Sequence, residues 1–298
     1  NSTVSDVSVR EEIGYDAAEG VLVRRIAVKP DWDRIGKIDI IGLDEISLRK
    51  GHRDFVTIVT AVAAGETLIL AVLRDRKKET VKKFLKTVPK KLRRRIGAVC
   101  SDMYEGFVSA AKEVFGKRTR IITDRFHVAR LYRKDLDGLR KKEMRRLREE
   151  LPTEEYGKLK GAMWALRKKR EKLDREEKEI LRRLFGHSPD LELAYDLCNE
   201  LTDIFEENIS KGDAERRIRN WKIRVGLSGL KCFDKFLKTL GKHTDEITNY
   251  FINRQTSGFV EGLNNKIKVI KRRCYGITNT DNLFRRIVLD LRGYSLFA

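Results

Sequence analysis

The sequence lacks the features that would mark a membrane-spanning, secreted or disordered chain. No apolar run approaches the ~20 residues that a membrane-spanning helix needs, and the first residues lack the basic-then-apolar pattern of a signal peptide. Only 4 of the 298 residues are proline and 21 are glycine, whereas 41% are hydrophobic, which excludes collagen-like and low-complexity chains. We therefore expect a folded, soluble, intracellular protein of about two domains.

Cysteine is also scarce. The four cysteines, Cys100, Cys198, Cys232 and Cys274, are far apart and form no C-x-x-C pair. Neither a zinc ribbon nor a disulfide framework is therefore indicated, and we interpret them as buried thiols in a reducing compartment. Because position 1 is not methionine, we expect the chain to be part of a longer or processed protein.

Acidic residues are outnumbered by basic ones. The chain has 65 Lys and Arg against 45 Asp and Glu, a net charge of +20 and a pI near 9.8. This excess predicts a polyanionic partner, with nucleic acid preferred over an acidic membrane. Dense basic runs occur at 167–170 and 266–273. Solvated helix faces are the alternative explanation for such runs.

Short apolar runs of strand length occur between residues 37 and 123. The first three, at 38–44, 54–62 and 67–73, predict an antiparallel meander. The patterns that follow predict a helix over 77–95, a strand over 96–100, a helix over 104–115 and a strand over 120–123. The order β-β-β-α-β-α-β predicts an α/β fold with a mixed sheet and helices on its faces.

The middle of the chain and its first 30 residues have helical patterns and lack the strand pattern of residues 37–123. Between about 128 and 250 no strand pattern occurs, and the sequence is helical and highly charged. Before Pro30, two short helical stretches at 6–13 and 17–28 indicate either the end of a helix-turn-helix or an ordinary helix pair.

Three aspartates follow apolar runs of strand length: Asp44, Asp102 and Asp124. Chemistry in open α/β sheets collects at strand ends, and if the first and fourth strands are neighbours, Asp44 and Asp102 approach each other. Two adjacent carboxylates repel unless a cation lies between them, and Mg²⁺ or Mn²⁺ suits oxygen ligands. A turn or a helix cap is the alternative for any one of them.

Glu261 is the best candidate for a third acid. It lies on a predicted helix whose apolar stripe is Phe259, Leu263, Ile267 and Ile270. The polar face of this helix continues from Glu261 to Asn265, Lys268 and Arg272. A carboxylate followed by basic side chains fits a metal ligand beside a phosphate backbone. An ordinary amphipathic surface helix is the alternative.

Three motifs resemble those of the DDE transposases of the ISL-three insertion-sequence family, over roughly residues 35 to 295. They are IGLDEISLRKGH at 41–52, TDRFHV at 123–128, and TSGFVEGLNNKIK at 256–268 followed by KRRCYG at 271–276. The resemblance implies an RNase H-like mixed sheet flanked by helices and interrupted by a large all-α insertion. The implied domains are 1–34, a remnant of a helix-turn-helix or a linker; 35–128, the first part of the core; 129–250, the insertion; and 251–298, the C-terminal core helices.

The resemblance also implies the site residues. Asp44, Asp102 and Glu261 match the DDE triad, which would hold two Mg²⁺ or Mn²⁺ ions. Asp124 and His127 match an Asp-x-x-His signature, for which we expect a supporting role near the site. From charge, the residues predicted to bind DNA are Lys266, Lys268, Lys271, Arg272, Arg273, Arg167, Lys168, Lys169 and Arg170.

The function that the resemblance implies is that of a DNA transposase catalytic region. It would cleave insertion-sequence ends with divalent metal and join them by attack of a 3′ hydroxyl on a phosphodiester. The expected partners are the double-stranded DNA of the ends and the target, and a second or further copies of the chain, at the prokaryotic nucleoid in the cytoplasm. Two alternatives remain: an RNase H-like nuclease without strand transfer, and a domesticated derivative that only binds DNA.

Overall fold

The computed structural model of the chain describes residues 3–49, 53–254, 258–273 and 277–297. The chain folds as two compact units. The first unit comprises residues 1–122 and 256–298, and the second comprises residues 123–255. The sheet lies in the first unit, whereas the described residues from 124 to 254 contain helices and no strand.

Five strands form one mixed sheet in the order β3-β2-β1-β4-β5. Their bounds are β1 Ile40–Arg49, β2 Arg53–Ala63, β3 Glu66–Leu73, β4 Ala98–Ser101 and β5 Arg120–Thr123. β1 pairs antiparallel with β2 and parallel with β4, and β2 pairs antiparallel with β3. The predicted meander, the predicted succession of five strands along the chain and the α/β class with a mixed sheet are confirmed, whereas the helix predicted over 77–95 is divided into two helices, Lys78–Leu85 and Lys90–Arg93.

Sixteen α-helices are described. Those in the first unit are α1 Val4–Arg10, α2 Tyr15–Arg25, α3 Lys78–Leu85, α4 Lys90–Arg93, α5 Glu105–Phe115, α15 Gly258–Arg273 and α16 Thr280–Phe297. Those in the second unit are α6 Arg125–Glu150, α7 Thr153–Gly157, α8 Ala162–Ala165, α9 Arg175–His187, α10 Pro189–Glu206, α11 Lys211–Leu227, α12 Asp234–Lys242, α13 Thr244–Thr248 and α14 Tyr250–Asn253. None of these described helices has both the length and the apolar character required to cross a bilayer.

Each face of the sheet is covered by its own pair of helices. On one face, here named the α3/α5 face, Ile41 and Leu43 of β1 belong to a buried cluster with Val81 of α3 and Phe107 of α5. On the opposite α15/α16 face, Ile46 belongs to a second cluster, which contains the following residues of the two C-terminal helices: Leu263, Ile267, Ile270, Leu283, Phe284 and Ile287. The odd and even positions of β1 therefore point to different helices, as the alternation of side chains along a strand requires.

The second unit has an aromatic core. Trp221 is fully buried, and its indole N–H donates a hydrogen bond of 2.8 Å to the carbonyl of Leu197 in α10. Phe233 and Phe236 pack edge-on against its ring at centroid distances of 6.0 and 5.9 Å. Tyr132 of α6 contacts Phe236 in the same way. The core thus joins α6, α10, α11 and α12.

The two chain ends of the second unit meet at the last residue of α10. Arg125, near the start of the unit, contacts the carboxylate of Glu206 at 3.4 Å. Arg254, near its end, donates a hydrogen bond of 3.0 Å to the carbonyl of Glu206 and one of 3.2 Å to the carbonyl of Phe205. The chain therefore enters and leaves this unit at neighbouring points.

Candidate active site

Asp44 lies inside β1 and not at its end, so the prediction that the first strand stops there was wrong. The apolar run ends at Asp44, but the next five residues alternate polar and apolar side chains, as a half-exposed strand does, and pair with β2 up to Arg49. The shorter neighbour β4 stops at Ser101, which pairs with Leu43. Asp44 is consequently the first residue of β1 beyond the last β1–β4 pair.

Asp102 directly follows β4, as predicted. Because β1 and β4 are parallel and Leu43 pairs with Ser101, Asp44 and Asp102 occupy equivalent positions one step beyond that pair. Neighbouring strands lie about 4.8 Å apart. The first and fourth strands are neighbours, so the condition under which we expected these two aspartates to approach each other is met.

Both aspartates are partly buried and held by backbone N–H groups. The Asp44 Oδ1 atom accepts a hydrogen bond of 2.7 Å from the N–H of Glu45, and the Asp102 Oδ1 atom accepts one of 2.9 Å from the N–H of Tyr104. Asp44 lies at an even position of β1, like Ile46, and so on the α15/α16 face. This is the face on which the helix containing Glu261 packs.

Glu261 lies in the first half of α15, but its side chain is outside the described part of the structure, as is that of Phe259. The rest of the predicted helix pattern is confirmed, because Leu263, Ile267 and Ile270 are buried. The ammonium of Lys271 donates a hydrogen bond to the carbonyl of Ser47, which places the end of α15 beside β1. Asp44 lies three residues before Ser47, about 10 Å along the strand. The backbone of Glu261 lies ten residues before Lys271, about 15 Å along the helix.

The described part of the site fits a hard cation. Asp44 and Asp102 offer carboxylate oxygens at one edge of the sheet, and Mg²⁺ is commonly bound by one or two carboxylates that leave positions for water and substrate phosphate. No group of three His, Cys, Asp or Glu side chains suited to a metal occurs among the described residues, which exclude the carboxylate of Glu261.

Arg76, in the segment after β3, contacts residues next to both aspartates and was not predicted from the sequence. Its Nη1 atom donates a hydrogen bond of 2.6 Å to Glu45, the residue after Asp44. Its guanidinium carbon lies 4.4 Å from the ring centroid of Phe55 and 4.9 Å from that of Tyr104. The hydrogen bond to Glu45 raises the pKa of Arg76, and the charge of Asp102 acts in the same direction. In the sequence Arg76 is one of several cations in a row, and no local pattern distinguishes it.

Comparison with known proteins identifies the family. A family model of ISL3-type DDE sequences, described as a transposase, matches residues 41–287. The chain belongs to the ISL3 transposase family. It is 28% identical over 291 residues to a transposase for insertion sequence element IS1001 from Bordetella parapertussis, covering 96% of this chain and 69% of that one. It is 23% identical over 296 residues to a transposase for IS1557 from Mycobacterium tuberculosis, covering 92% of this chain and 65% of that one.

The Asp-x-x-His signature of this ISL3-family chain lies at the start of α6. Asp124 is 5% exposed and caps the helix, since its Oδ1 atom accepts a hydrogen bond of 2.9 Å from the N–H of Phe126. The Nδ1 atom of His127 lies 3.5 Å from the other Asp124 oxygen. Asp124 therefore acts as a helix cap, the alternative that the sequence analysis allowed for each strand-end aspartate. A supporting role of Asp124 near the metal site remains a prediction.

The basic residues of α15 differ in how they are engaged. Lys266 lies 3.7 Å from the carboxylate of Asp290. Lys271 is occupied by the carbonyl of Ser47, and burial, with the nearby charges of Arg272 and Lys268, lowers its pKa. Four cations of this helix are exposed: Lys266, which has the carboxylate of Asp290 beside it, and Lys268, Arg272 and Arg273. The last three are the best placed of the predicted DNA-binding residues to meet a phosphate backbone.

The second predicted basic cluster, 167–170, is largely neutralised within the helical unit. Lys168 pairs with Glu177 at 2.5 Å, Lys169 with Asp203 and Glu206, and Arg170 with Asp196 at 2.8 Å and Glu192 at 3.0 Å. Arg167 instead stacks on the ring of Trp164, which is 60% exposed, at 4.8 Å. Binding of DNA by this cluster stays a prediction, and for Lys168, Lys169 and Arg170 it requires competition with these acids.

Proposed function

We propose that the chain is the catalytic region of a DDE transposase, which cleaves insertion-sequence ends with divalent metal and joins them to a target through a 3′ hydroxyl. The observation that carries the proposal is the placement of Asp44 and Asp102 at equivalent positions of two adjacent parallel strands. Membership of the ISL3 transposase family supports DNA as the substrate. The relatives are named for insertion-sequence elements, and the chain spans about two thirds of their length.

The arrangement of the sheet supports an RNase H-like core within this proposal. Three antiparallel strands are followed by β4 parallel to β1, and helices cover both faces. The helical unit 123–255 leaves the core after the second acid and returns to it before Glu261. An all-α insertion between Asp102 and Glu261 is the arrangement that the sequence resemblance implies.

Each residue has a role in the proposed reaction. Asp44, Asp102 and Glu261 would hold the divalent ions, which, when bound, activate the attacking oxygen and stabilise the leaving oxygen. Three exposed cations of α15, Lys268, Arg272 and Arg273, would neutralise backbone phosphates next to the site. From the resemblance to DDE transposases we infer that at least two copies of the chain act together on the DNA.

The test replaces each acid conservatively. We expect Asp44→Asn, Asp102→Asn and Glu261→Gln to lower Mg²⁺-dependent cleavage of end DNA about 100-fold or more, because each loses a metal ligand. Duplex binding should stay within about twofold, since no phosphate contact is removed. Glu66→Gln, at an exposed acid at the start of β3, is the matched control.

The products distinguish the proposal from its alternatives. Cleaved ends that are joined to target DNA support a transposase, whereas cleavage without joining indicates a nuclease. Binding without any metal-dependent nicking indicates a derivative that only binds DNA. If one acid variant keeps more than a few per cent of the cleavage rate, that residue is not a metal ligand.

A further inference from the structure

Four side chains from four separate segments form one cluster beside the candidate site. We name this cluster the arginine clasp: Arg76, Glu45, Phe55 and Tyr104. Arg76 is ion-paired to Glu45 at 2.6 Å, and its guanidinium lies over the rings of Phe55 and Tyr104 at 4.4 and 4.9 Å. An arginine between two aromatic rings and a carboxylate uses its planar face and its charge at the same time.

Two members of the clasp are tied directly to the candidate catalytic acids. Glu45 follows Asp44 in β1, and its N–H donates to the Asp44 carboxylate. Tyr104 lies two residues after Asp102, and its N–H donates to the Asp102 carboxylate. Arg76 contacts both Glu45 and Tyr104, so it connects the strand that carries Asp44 to the turn that carries Asp102.

The clasp lies behind the site and not in it. Consecutive residues of a strand point to opposite faces, so Glu45 shares the α3/α5 face with Ile41 and Leu43, whereas Asp44 faces α15. Tyr104 packs against the cluster on that same α3/α5 face. Arg76 is therefore placed to orient the acids from the rear, on the side away from the helix with the exposed cations.

We propose that Arg76 is a positioning residue that holds the β4–α5 turn against β1 and so sets the geometry of Asp44 and Asp102. The proposal rests on the proposed function in that it assigns those acids to the metal. In the described register the strand pairing of β1 with β4 ends at the Leu43–Ser101 pair, one residue before Asp44 and Asp102. The clasp supplies a side-chain connection between β1 and the turn beyond that last pair.

Two variants separate positioning from simple charge. Arg76→Gln removes a positive charge near the acids, and Glu45→Gln removes a negative one. Charge alone would therefore shift Mn²⁺ affinity in opposite directions, upward for Arg76→Gln and downward for Glu45→Gln. Positioning predicts that both variants lose affinity and cleavage rate by about tenfold, the scale seen when residues that orient metal ligands are removed.

The experiment measures Mn²⁺ binding to the 298-residue chain by electron paramagnetic resonance, with Asp44→Asn as the background. Single-turnover cleavage at saturating DNA is measured for the same proteins. The double variant should be no worse than either single variant, because both break one interaction. Arg76→Lys should recover part of the loss, since it keeps the charge but not the planar stack. Arg74→Gln is the matched control, because Arg74 is 84% exposed in the same segment.

A readout in the metal-free chain keeps this test independent of the transposase assignment. Amide hydrogen exchange in a peptide covering 98–108 should become faster in Arg76→Gln and Glu45→Gln, and stay unchanged in Arg74→Gln. Unchanged exchange in both clasp variants overturns the proposal, as do Mn²⁺ affinities that shift in opposite directions. A weaker and less salt-dependent DNA affinity for Arg76→Gln would also overturn it, by showing a direct phosphate contact. Failure of the unmodified chain to bind Mn²⁺ or cleave DNA would refute the proposed function alone.

Discussion

The two basic clusters that look alike in the sequence are expected to respond differently to mutation. In α15, Lys268, Arg272 and Arg273 are exposed, whereas Lys169 of the second cluster is 12% exposed and paired with Asp203 and Glu206. If only the exposed cations meet phosphates, only their removal changes the salt dependence of DNA binding. The prediction is that the slope of log affinity against log salt separates the two clusters.

The magnitude follows from the number of contacts. Each neutralised phosphate contributes about 0.9 to the slope on duplex DNA. Between 50 and 200 mM salt, a fourfold change, one contact corresponds to a factor of about 3.5 in affinity, and three contacts to a factor of about 40. The triple variant Lys268→Ala, Arg272→Ala, Arg273→Ala should therefore have a slope shallower by about 2.7 than the unmodified chain.

The assay is a salt titration of binding by fluorescence anisotropy, with end DNA and with random duplex of equal length. Both duplexes should lose affinity alike, because phosphate contacts carry no sequence information. Lys169→Ala is the control and should leave the slope unchanged. An unchanged slope for the triple variant would refute the assignment of this helix face to DNA, and a shallower slope for Lys169→Ala would show that its ion pairs open on binding.

Two further predictions concern stability. Trp221→Phe should lower the free energy of unfolding by about 2–3 kcal/mol, because it removes a buried hydrogen bond and leaves a void between Phe233 and Phe236. Urea unfolding followed by circular dichroism measures this change. A loss of less than about 0.5 kcal/mol would contradict the prediction. Ion pairs with Lys78 and Lys82 lower the pKa of Glu113 from 4.5 to about 2. The two ion pairs of Glu113 therefore stabilise the fold above about pH 4.5, and their contribution is lost as the pH falls toward 2. Glu113→Gln should consequently reduce the difference between the urea midpoints measured at pH 6 and at pH 3. An equal difference in both proteins would show that these ion pairs do not contribute.

Local patterns in the sequence were sufficient to predict the sheet and the position of Asp102. The strands of the sheet are apolar runs bounded by polar residues, and an acid directly after such a run lies at a strand end. The extent of β1 beyond Asp44 was not predicted, because its second half alternates polar and apolar residues and lacks the continuous apolar run on which the strand predictions were based. Tertiary pairing decided the length of this strand.

Side-chain partners from distant segments could not be predicted. Arg76 and Glu45 are 31 residues apart, and Lys169 and Glu206 are 37 apart. Sequence reasoning about charge considers neighbours at i+3 or i+4 on one helix, so it interprets such cations as solvated or as DNA-binding. Whether a cation is free to meet a phosphate depends on the acids that the fold brings to it.

The meeting of both chain ends at Glu206 has a consequence for the order in which the chain folds. The sheet unit must bring α15 back to β1 across the 133 residues of 123–255, and the entropy of closing a flexible loop grows with its length. Once the helical unit has folded, the flanking segments leave it side by side, at Arg125 and Arg254. The effective loop then shrinks to about ten residues, which reduces the closure cost by about 2 kcal/mol. An early-folding helical unit would thus promote assembly of the sheet unit, in which the candidate acid Glu261 lies far along the chain from Asp44 and Asp102.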